Sequence, residues 1–312
     1  VGLTYVSVCS GIEAATVAVE PLGWRAIAFS EVDGVCNRFL RAKYPNVDNL
    51  GDMTEVNWSR PRFHANVLIG GTPCQSNSTM GRWRREITAD MDFRGKLAFR
   101  YLHIADQIGA DWFIWENVAN VLSVRKGEFF RDWLGTAAGL GFGVAWRVLD
   151  TEDFGLPTSR SRLFAVGHRG GEGLESRALL QPRYTNRRRL PTAPKAIREE
   201  RTDAADGAFD AGLPPFSIGF DGAGIGPRGR YEALPTLTKG HAGRFGLVTR
   251  GGDVRKISCV EAERSMGFPD GYTEAAGLSF RERHAVIGNS FSPRIVGAIA
   301  EQIDMLSDPR GT

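Results

Sequence analysis

Short apolar runs alternate with stretches in which apolar residues recur every three or four positions, and this alternation repeats through the first half of the chain. Thr4 to Val8 predicts a buried strand, Gly11 to Glu20 a helix, Arg25 to Ser30 a second strand, and Gly34 to Tyr44 an amphipathic helix. Asn66 to Ile69 predicts a further strand. Leu97 to Ile108 follows as a helix with Leu97, Tyr101, Ile104 and Ile108 on one face, and Trp112 to Trp115 as a strand. A helix around Phe129 to Leu140 leads to two more strands, Val144 to Leu149 and Arg162 to Val166. Alternation of this kind predicts an α/β fold: a doubly wound, mostly parallel sheet with helices on both faces and a ligand crevice beyond the carboxyl ends of its strands.

After His168 the pattern changes. To about Arg255 the chain is rich in Gly, Pro and Arg and short of apolar runs, and it reads as a separate small domain or a set of long loops. Helical periodicity returns over Ser258 to Met266 and from about Arg294 to Leu306. The expected organisation is a first domain over 1–168, a small region over 169–256, and a C-terminal segment over 257–312 that returns to the first domain.

Composition narrows the class. With 312 residues, 42% hydrophobic and 24% charged, and no apolar run long enough for a bilayer, the expectation is a soluble, cytoplasmic protein without a membrane partner. No signal peptide is visible. Cys9, Cys36, Cys74 and Cys259 are far apart and form no C-x-x-C pair, so neither a metal site nor a disulfide framework is suggested. The net charge of +3 is too small to identify a nucleic-acid partner.

Candidate chemistry sits where predicted strands end. The first turn, Ser7-Val8-Cys9-Ser10-Gly11-Ile12-Glu13, has one glycine where a dinucleotide fingerprint needs three, so a phosphate-free adenosine cofactor fits better than a pyrophosphate. Glu31, twenty positions after Gly11, ends the second strand and can accept hydrogen bonds from both ribose hydroxyls. Cys74, in Gly70-Gly71-Thr72-Pro73-Cys74-Gln75, follows an apolar strand through a turn that Pro73 stiffens. Glu116 and Asn117 end the strand of Trp112 to Trp115, where apolar shielding would favour a carboxyl that keeps its proton. Each has a plainer reading when taken alone: an acid opening a helix, an inert core cysteine, a helix-capping pair.

Together these residues carry a resemblance. Ser10-Gly11, Pro73-Cys74-Gln75, Glu116-Asn117-Val118, Arg160-Ser161-Arg162, Gly267-Phe268-Pro269-Asp270 and Gly288-Asn289-Ser290 stand in the order of the motifs of cytosine-C5 DNA methyltransferases (Dcm-like), from Ser7 to Pro293. The resemblance implies a class I, Rossmann-like fold with a catalytic domain and a smaller target-recognition domain. It implies methyl transfer from S-adenosylmethionine to carbon 5 of cytosine in double-stranded DNA, in the setting of restriction-modification systems. Cys74 is then the nucleophile that adds to carbon 6 of a flipped-out base, and Glu116 the group at N3. Arg160 and Arg162, one residue apart on a strand, would share a face and grip a phosphate or the pyrimidine carbonyl. Cofactor contacts are expected at Cys9, Ser10, Gly11, Ile12, Glu31, Val32, Asp52, Met53, Pro73, Asn289 and Ser290, with Asp52 at the adenine amino group. DNA contacts are expected at Gln75, Ser78, Asn117, Arg187, Arg188 and Arg189, the arginine run on phosphate ahead of base edges. The sequence departs from the family where Cys9 replaces an aromatic residue, Glu13 a glycine, Asn77 an aromatic residue and Thr158 a glutamine.

Three rival readings stay open. The tRNA cytosine methyltransferase branch shares Pro-Cys-Gln and Glu-Asn-Val, but its Cys-Phe-Thr tripeptide is missing here. An inert DNA-binding relative would have no need of Cys74, Glu116 and Arg162. A nicotinamide-dependent oxidoreductase is disfavoured by the single-glycine turn. A monomer without an obligate protein partner is expected.

Overall fold

The computed structural model describes residues 2–73, 93–171, 173–180, 217–219, 245–248 and 254–307. Two compact units emerge, one from residues 1–149, 161–181 and 296–312, the other from 150–160 and 182–295.

The first unit is built on a six-stranded sheet. Its strands are β1 (Thr4–Val8), β2 (Arg25–Ser30), β3 (Val67–Gly70), β4 (Trp112–Val118), β5 (Phe142–Asp150) and β6 (Ser161–Arg169), in the spatial order β2-β1-β3-β4-β6-β5. β1 runs parallel to β2 and β3, and β3 parallel to β4, as the alternation predicts; β6 returns antiparallel to β4. The pleat sends alternate residues to one face. Val6, Val8, Leu68, Phe113, Trp115, Leu163 and Ala165 therefore share a core with the helices α3 (Phe93–Gln107) and α4 (Glu128–Gly139). The predicted face of α3 is in that core: Leu97, Tyr101, Ile104 and Ile108 are all buried. Tyr101 shows why a polar tip is tolerated there, since its hydroxyl lies 3.0 Å from the carbonyl of Leu68 on β3 and 2.7 Å from that of Ile114 on β4.

Short helix α1 (Ala14–Val19) and the final helix α8 (Pro293–Ser307) also belong to this unit at Ala18 and Gly297, where a β-carbon on Gly297 would lie 3.3 Å from the Ala18 carbonyl. Helix α2 (Gly34–Lys43) is capped by Asp33, whose carboxylate accepts the N–H groups of Val35 and Cys36.

The second unit holds α6 (Cys259–Met266) and α7 (Phe280–Asn289), each opened by a serine–glutamate capping box. Between them Glu263 is fully buried, and its charge is met by the N–H groups of Gly271 and Thr273, the Thr273 hydroxyl and the Arg283 guanidinium. Helix α7 was not expected, because its apolar positions are few and its start is signalled only by Ser279 and Glu282. The span read as a small domain or a set of long loops contains α5 (Leu174–Leu180) and a three-stranded antiparallel sheet, β7 (Ser217–Gly219), β8 (Phe245–Val248) and β9 (Val254–Lys256). Strands of three or four residues are too short to show a period.

Candidate active site

Register places the candidate residues of the first unit in a row. Val8 pairs with Ser30 on one side and Gly70 on the other, and Gly70 pairs with Trp115. The next residue on each strand, Glu31, Cys9, Gly71 and Glu116, therefore stands at the carboxyl edge of the sheet. With about 4.8 Å between neighbouring strands, the Glu31 and Glu116 positions are about 14 Å apart.

At one end of the row, the first turn folds back on itself. Cys9, Gly11 and Glu13 all have positive φ, at 52°, 55° and 57°. Only Gly11 adopts that region without steric cost. The family glycine replaced by Glu13 thus stands at a left-handed position, and the glutamate holds it because its buried carboxylate caps α1 on the Thr16 N–H and hydroxyl. Ser10 ties the turn to the second strand, accepting the Ser30 N–H on its hydroxyl at 3.2 Å. Ile12 was expected at the cofactor; it is buried, and its side chain offers no surface to a ligand.

Glu31 is already oriented. Its carboxylate accepts the N–H groups of Gly11 at 2.7 Å, Val32 at 2.8 Å and Asp33 at 2.7 Å, while its own N–H donates to Asn49 Oδ1 at 2.9 Å. A carboxylate has about four acceptor positions. Three are used among the described residues, which leaves acceptor capacity toward a ligand. Val32, next in the chain, is 66% exposed although apolar, which suits a residue that covers a ring. Asp52 accepts the Thr54 N–H and hydroxyl in a tight turn, and the Cys9 sulfur lies 3.8 Å from the Met53 sulfur. Burial pushes the Cys9 thiol up to about 12, reinforced by the negative charges of Glu31 and Asp52. Cys9 is thus a neutral thiol between two carboxylates. Such a surroundings suits a cationic, phosphate-free ligand and repels a pyrophosphate.

At the other end, Glu116 and Arg162 form an ion pair, Oε1 to Nε 3.3 Å, with side chains 14% and 18% exposed. Val118 faces Arg162 across the β4–β6 ladder, so Arg162 is the diagonal neighbour of Glu116 on the same face. The sequence reading shielded Glu116 with apolar groups; the structure gives it a cation. Gly71 passes so close that a β-carbon there would lie 2.7 Å from Glu116 Oε2. Thr72 is buried, its hydroxyl accepting the Trp115 indole N–H at 3.0 Å and its carbonyl the Asn117 amide at 3.2 Å. Pro73 follows, exposed. Asn117 was expected at DNA; it is buried, and both ends of its side chain serve the protein, Oδ1 accepting the Val118 N–H at 2.9 Å.

Arg160 also needs correction. It precedes β6 in the second unit, is buried, and donates its guanidinium to the carbonyls of Gly288 at 3.1 Å and Ser290 at 2.8 Å. Arg160 thus serves carbonyls of the second unit, and Arg162 serves the Glu116 carboxylate of the first. Arg160 fixes the Gly288-Asn289-Ser290 segment at the end of α7, which holds the expected cofactor residues Asn289 and Ser290. Thr158, standing where the family carries glutamine, is buried, and its hydroxyl has no hydrogen-bond partner among the described residues. Cys74, Gln75, Ser78, Arg187, Arg188 and Arg189 lie outside the described residues.

Sequence reasoning missed Gly71, Thr72, Trp115 and Asn49. A hydroxyl residue just before Pro-Cys, and a tryptophan closing an apolar strand, were the available signals for two of them.

The buried Glu13 generates a pH prediction. Burial raises its carboxyl from an ordinary value of 4.5 to about 7, against hydrogen bonds from Ser7, Thr16 and Ser10 that hold it lower. The folded state then keeps a proton that the unfolded chain releases, so this contribution to stability is complete below about pH 4.5 and is lost as pH rises through 7. Glu13→Gln keeps an acceptor for Thr16 and removes the titration. Urea unfolding at stepped pH should show the wild type losing stability relative to the variant over that window; parallel curves would refute the assignment.

A family model for C-5 cytosine-specific DNA methylase matches residues 3–213. Among curated relatives, the DNA N-6-adenine-methyltransferase of Escherichia phage P1 is 32% identical over 217 residues, which cover 53% of this chain and 28% of the phage protein. The chain thus spans little more than a quarter of that relative. Type II methyltransferase M.NgoBI of Neisseria gonorrhoeae is 28% identical over 320 residues, covering 96% of this chain and 93% of the relative. Among solved structures, the S. pombe Dnmt2 methyltransferase superposes with a TM-score of 0.66 at 14% identity over 99% of this chain and 100% of that one, which shows a common fold. Because the family model covers well over half of the sequence, the chain belongs to the C-5 cytosine-specific DNA methylase family.

Proposed function

We propose that this protein transfers a methyl group from S-adenosylmethionine to carbon 5 of cytosine in double-stranded DNA, through a covalent Cys74 adduct at carbon 6 of a base flipped out of the helix. The observation that carries this reading is the edge of the sheet at β3 and β4: Gly71 runs against the Glu116 carboxylate on the way to Cys74, and Arg162 pairs with that carboxylate. Near-complete coverage of M.NgoBI supports the same reading. Methylation of an exocyclic amine, the activity in the name of the phage P1 relative, proceeds by direct attack of the amine and has no use for a thiol.

The residues suit the cofactor. Glu31, Val32, Asp52 and the turn from Cys9 to Gly11 would hold it, with carboxylates facing its positive charge. Bound there, S-adenosylmethionine supplies an electrophilic methyl group. Carbon 5 of cytosine is a weak nucleophile, so the Cys74 thiolate first adds to carbon 6 and charge builds on the ring. As that charge builds, N3 takes up a proton from solvent, and the Glu116 carboxylate, oriented by Arg162, accepts the hydrogen bond of the N3–H. Once carbon 5 carries the methyl group, loss of its proton and departure of the Cys74 thiolate restore the aromatic ring. Flipping the base costs roughly a few kcal/mol, which contacts elsewhere on the DNA must offset. Target recognition falls in the 169–256 region, where Arg187, Arg188 and Arg189 would bind phosphate.

Cys74→Ser should reduce methyl incorporation into duplex DNA to background while S-adenosylmethionine affinity stays within about twofold, because an alkoxide is not available at neutral pH. DNA carrying 5-fluorocytosine should trap the wild type as an adduct that survives a denaturing gel, and the serine variant should form none. A fully active serine variant would remove the mechanism.

A second split separates binding from chemistry. Glu31→Ala should weaken S-adenosylmethionine binding by about 10- to 100-fold, the scale of losing hydrogen bonds to a charged group. Glu116→Gln should slow single turnover by about 100-fold or more, with cofactor affinity little changed. Calorimetry and rapid-quench rates read the two effects; the opposite pattern would show that the roles are exchanged.

A further inference from the structure

Trp115 is more constrained than a core residue needs to be. Its indole is fully buried and stacks on Trp133 at 4.4 Å between centroids, and Trp133 in turn stacks on Phe130 at 5.6 Å and donates its own N–H to the Ala98 carbonyl at 3.0 Å. Helices α3 and α4 thereby fix the plane of the Trp115 ring. What the ring presents upward is one N–H, and Thr72 Oγ1 accepts it at 3.0 Å. Asn117 holds the same residue by its carbonyl at 3.2 Å. Gly71, which has no side chain to clash with Glu116, lets the loop lie close enough to β4 for both bonds. Two residues of chain, at most about 7 Å, separate Thr72 from Cys74.

We infer that Trp115 and Thr72 form a positioning latch, in which the buried indole N–H holds the Thr72 hydroxyl and fixes the Gly71–Pro73 turn, the chain segment that immediately precedes Cys74 in the sequence. The inference rests on the proposed role of Cys74. The latch acts through geometry, and a misplacement of about 1 Å at a reacting group costs on the order of 100-fold in rate. A buried indole N–H requires an acceptor, so the bond also selects one loop conformation over others that would leave the N–H unsatisfied.

The test uses the full chain with a 5-fluorocytosine duplex and S-adenosylmethionine, comparing wild type, Thr72→Val, Thr72→Ser and Trp115→Phe. Thr72→Val keeps the shape and removes the acceptor; it should slow adduct formation by about 100-fold, with cofactor affinity and the KM for DNA within about twofold of wild type. Thr72→Ser restores the hydroxyl and should recover the rate to within about threefold. If Thr72→Val does not fold, Trp115→Phe carries the comparison, since it retains an aromatic ring for the stack and removes the N–H. Adduct formation at the wild-type rate in either variant would overturn the latch, as would a serine variant as slow as the valine one. If the wild type itself forms no adduct, the proposed function fails and takes the latch with it; a wild-type adduct with unimpaired variants sinks the latch alone.

Discussion

Hydrogen-bonded register between four parallel strands is the constraint on which the site depends. Ser30, Val8, Gly70 and Trp115 lie in one row across β2, β1, β3 and β4, and every candidate residue of the first unit is counted from that row. A slip of one residue on β4 would send Glu116 to the opposite face and bring Trp115 out of the core, since side chains alternate strictly along a strand. The apolar residues beneath the row oppose such a slip: Val8, Leu68, Phe113 and Trp115 are buried in one core with α3 and α4. The packing that stabilises the sheet is thus the packing that places the chemistry.

Two kinds of device then refine what register sets roughly. Hydrogen bonds, part-buried or buried, fix loops at their roots: Ser10 to Ser30, Asn49 to Glu31, Trp115 and Asn117 to Thr72. Left-handed backbone at Cys9 and Glu13 tightens the first turn at a cost of about 1–3 kcal/mol each, a strain that is found where surrounding structure over-determines a position. The turn is held by the Glu13 carboxylate below and by the Glu31 carboxylate above, the latter on the Gly11 N–H. Charge is arranged consistently with this. Carboxylates gather at the β2 end of the row around a neutral thiol, and a carboxylate paired with arginine stands at the β4 end.

Much of this was legible in the sequence. Strands β1 to β6 and helices α2, α3, α4, α6 and α8 follow from periodicity, because each has enough apolar positions to show whether its period is 2 or 3.6. Glu31 and Glu116 were singled out because they follow the apolar runs of such strands. The errors have a common origin: sequence position tells where a side chain starts, and not which partner claims it. Arg160 and Arg162 look like a matched pair on a strand, yet Arg160 lies before β6 and is taken by the carbonyls of Gly288 and Ser290, more than a hundred residues away. Asn117 looks like a ligand at a strand end, yet the Thr72 carbonyl claims its amide. Trp115 and Thr72 carry only a faint signal, a tryptophan closing an apolar strand and a hydroxyl before Pro-Cys, since their significance lies in a contact between residues 43 positions apart.

The account's central claim is that the thiol and acid at this sheet edge make carbon 5 of cytosine in DNA the methyl acceptor. Nucleoside mass spectrometry of DNA and tRNA from a host expressing the protein, beside a host expressing none, tests it most directly. The account predicts new 5-methylcytosine in DNA, confined by bisulfite sequencing to one sequence context, with tRNA unchanged. New N6-methyladenine without 5-methylcytosine, or 5-methylcytosine in tRNA alone, would contradict it.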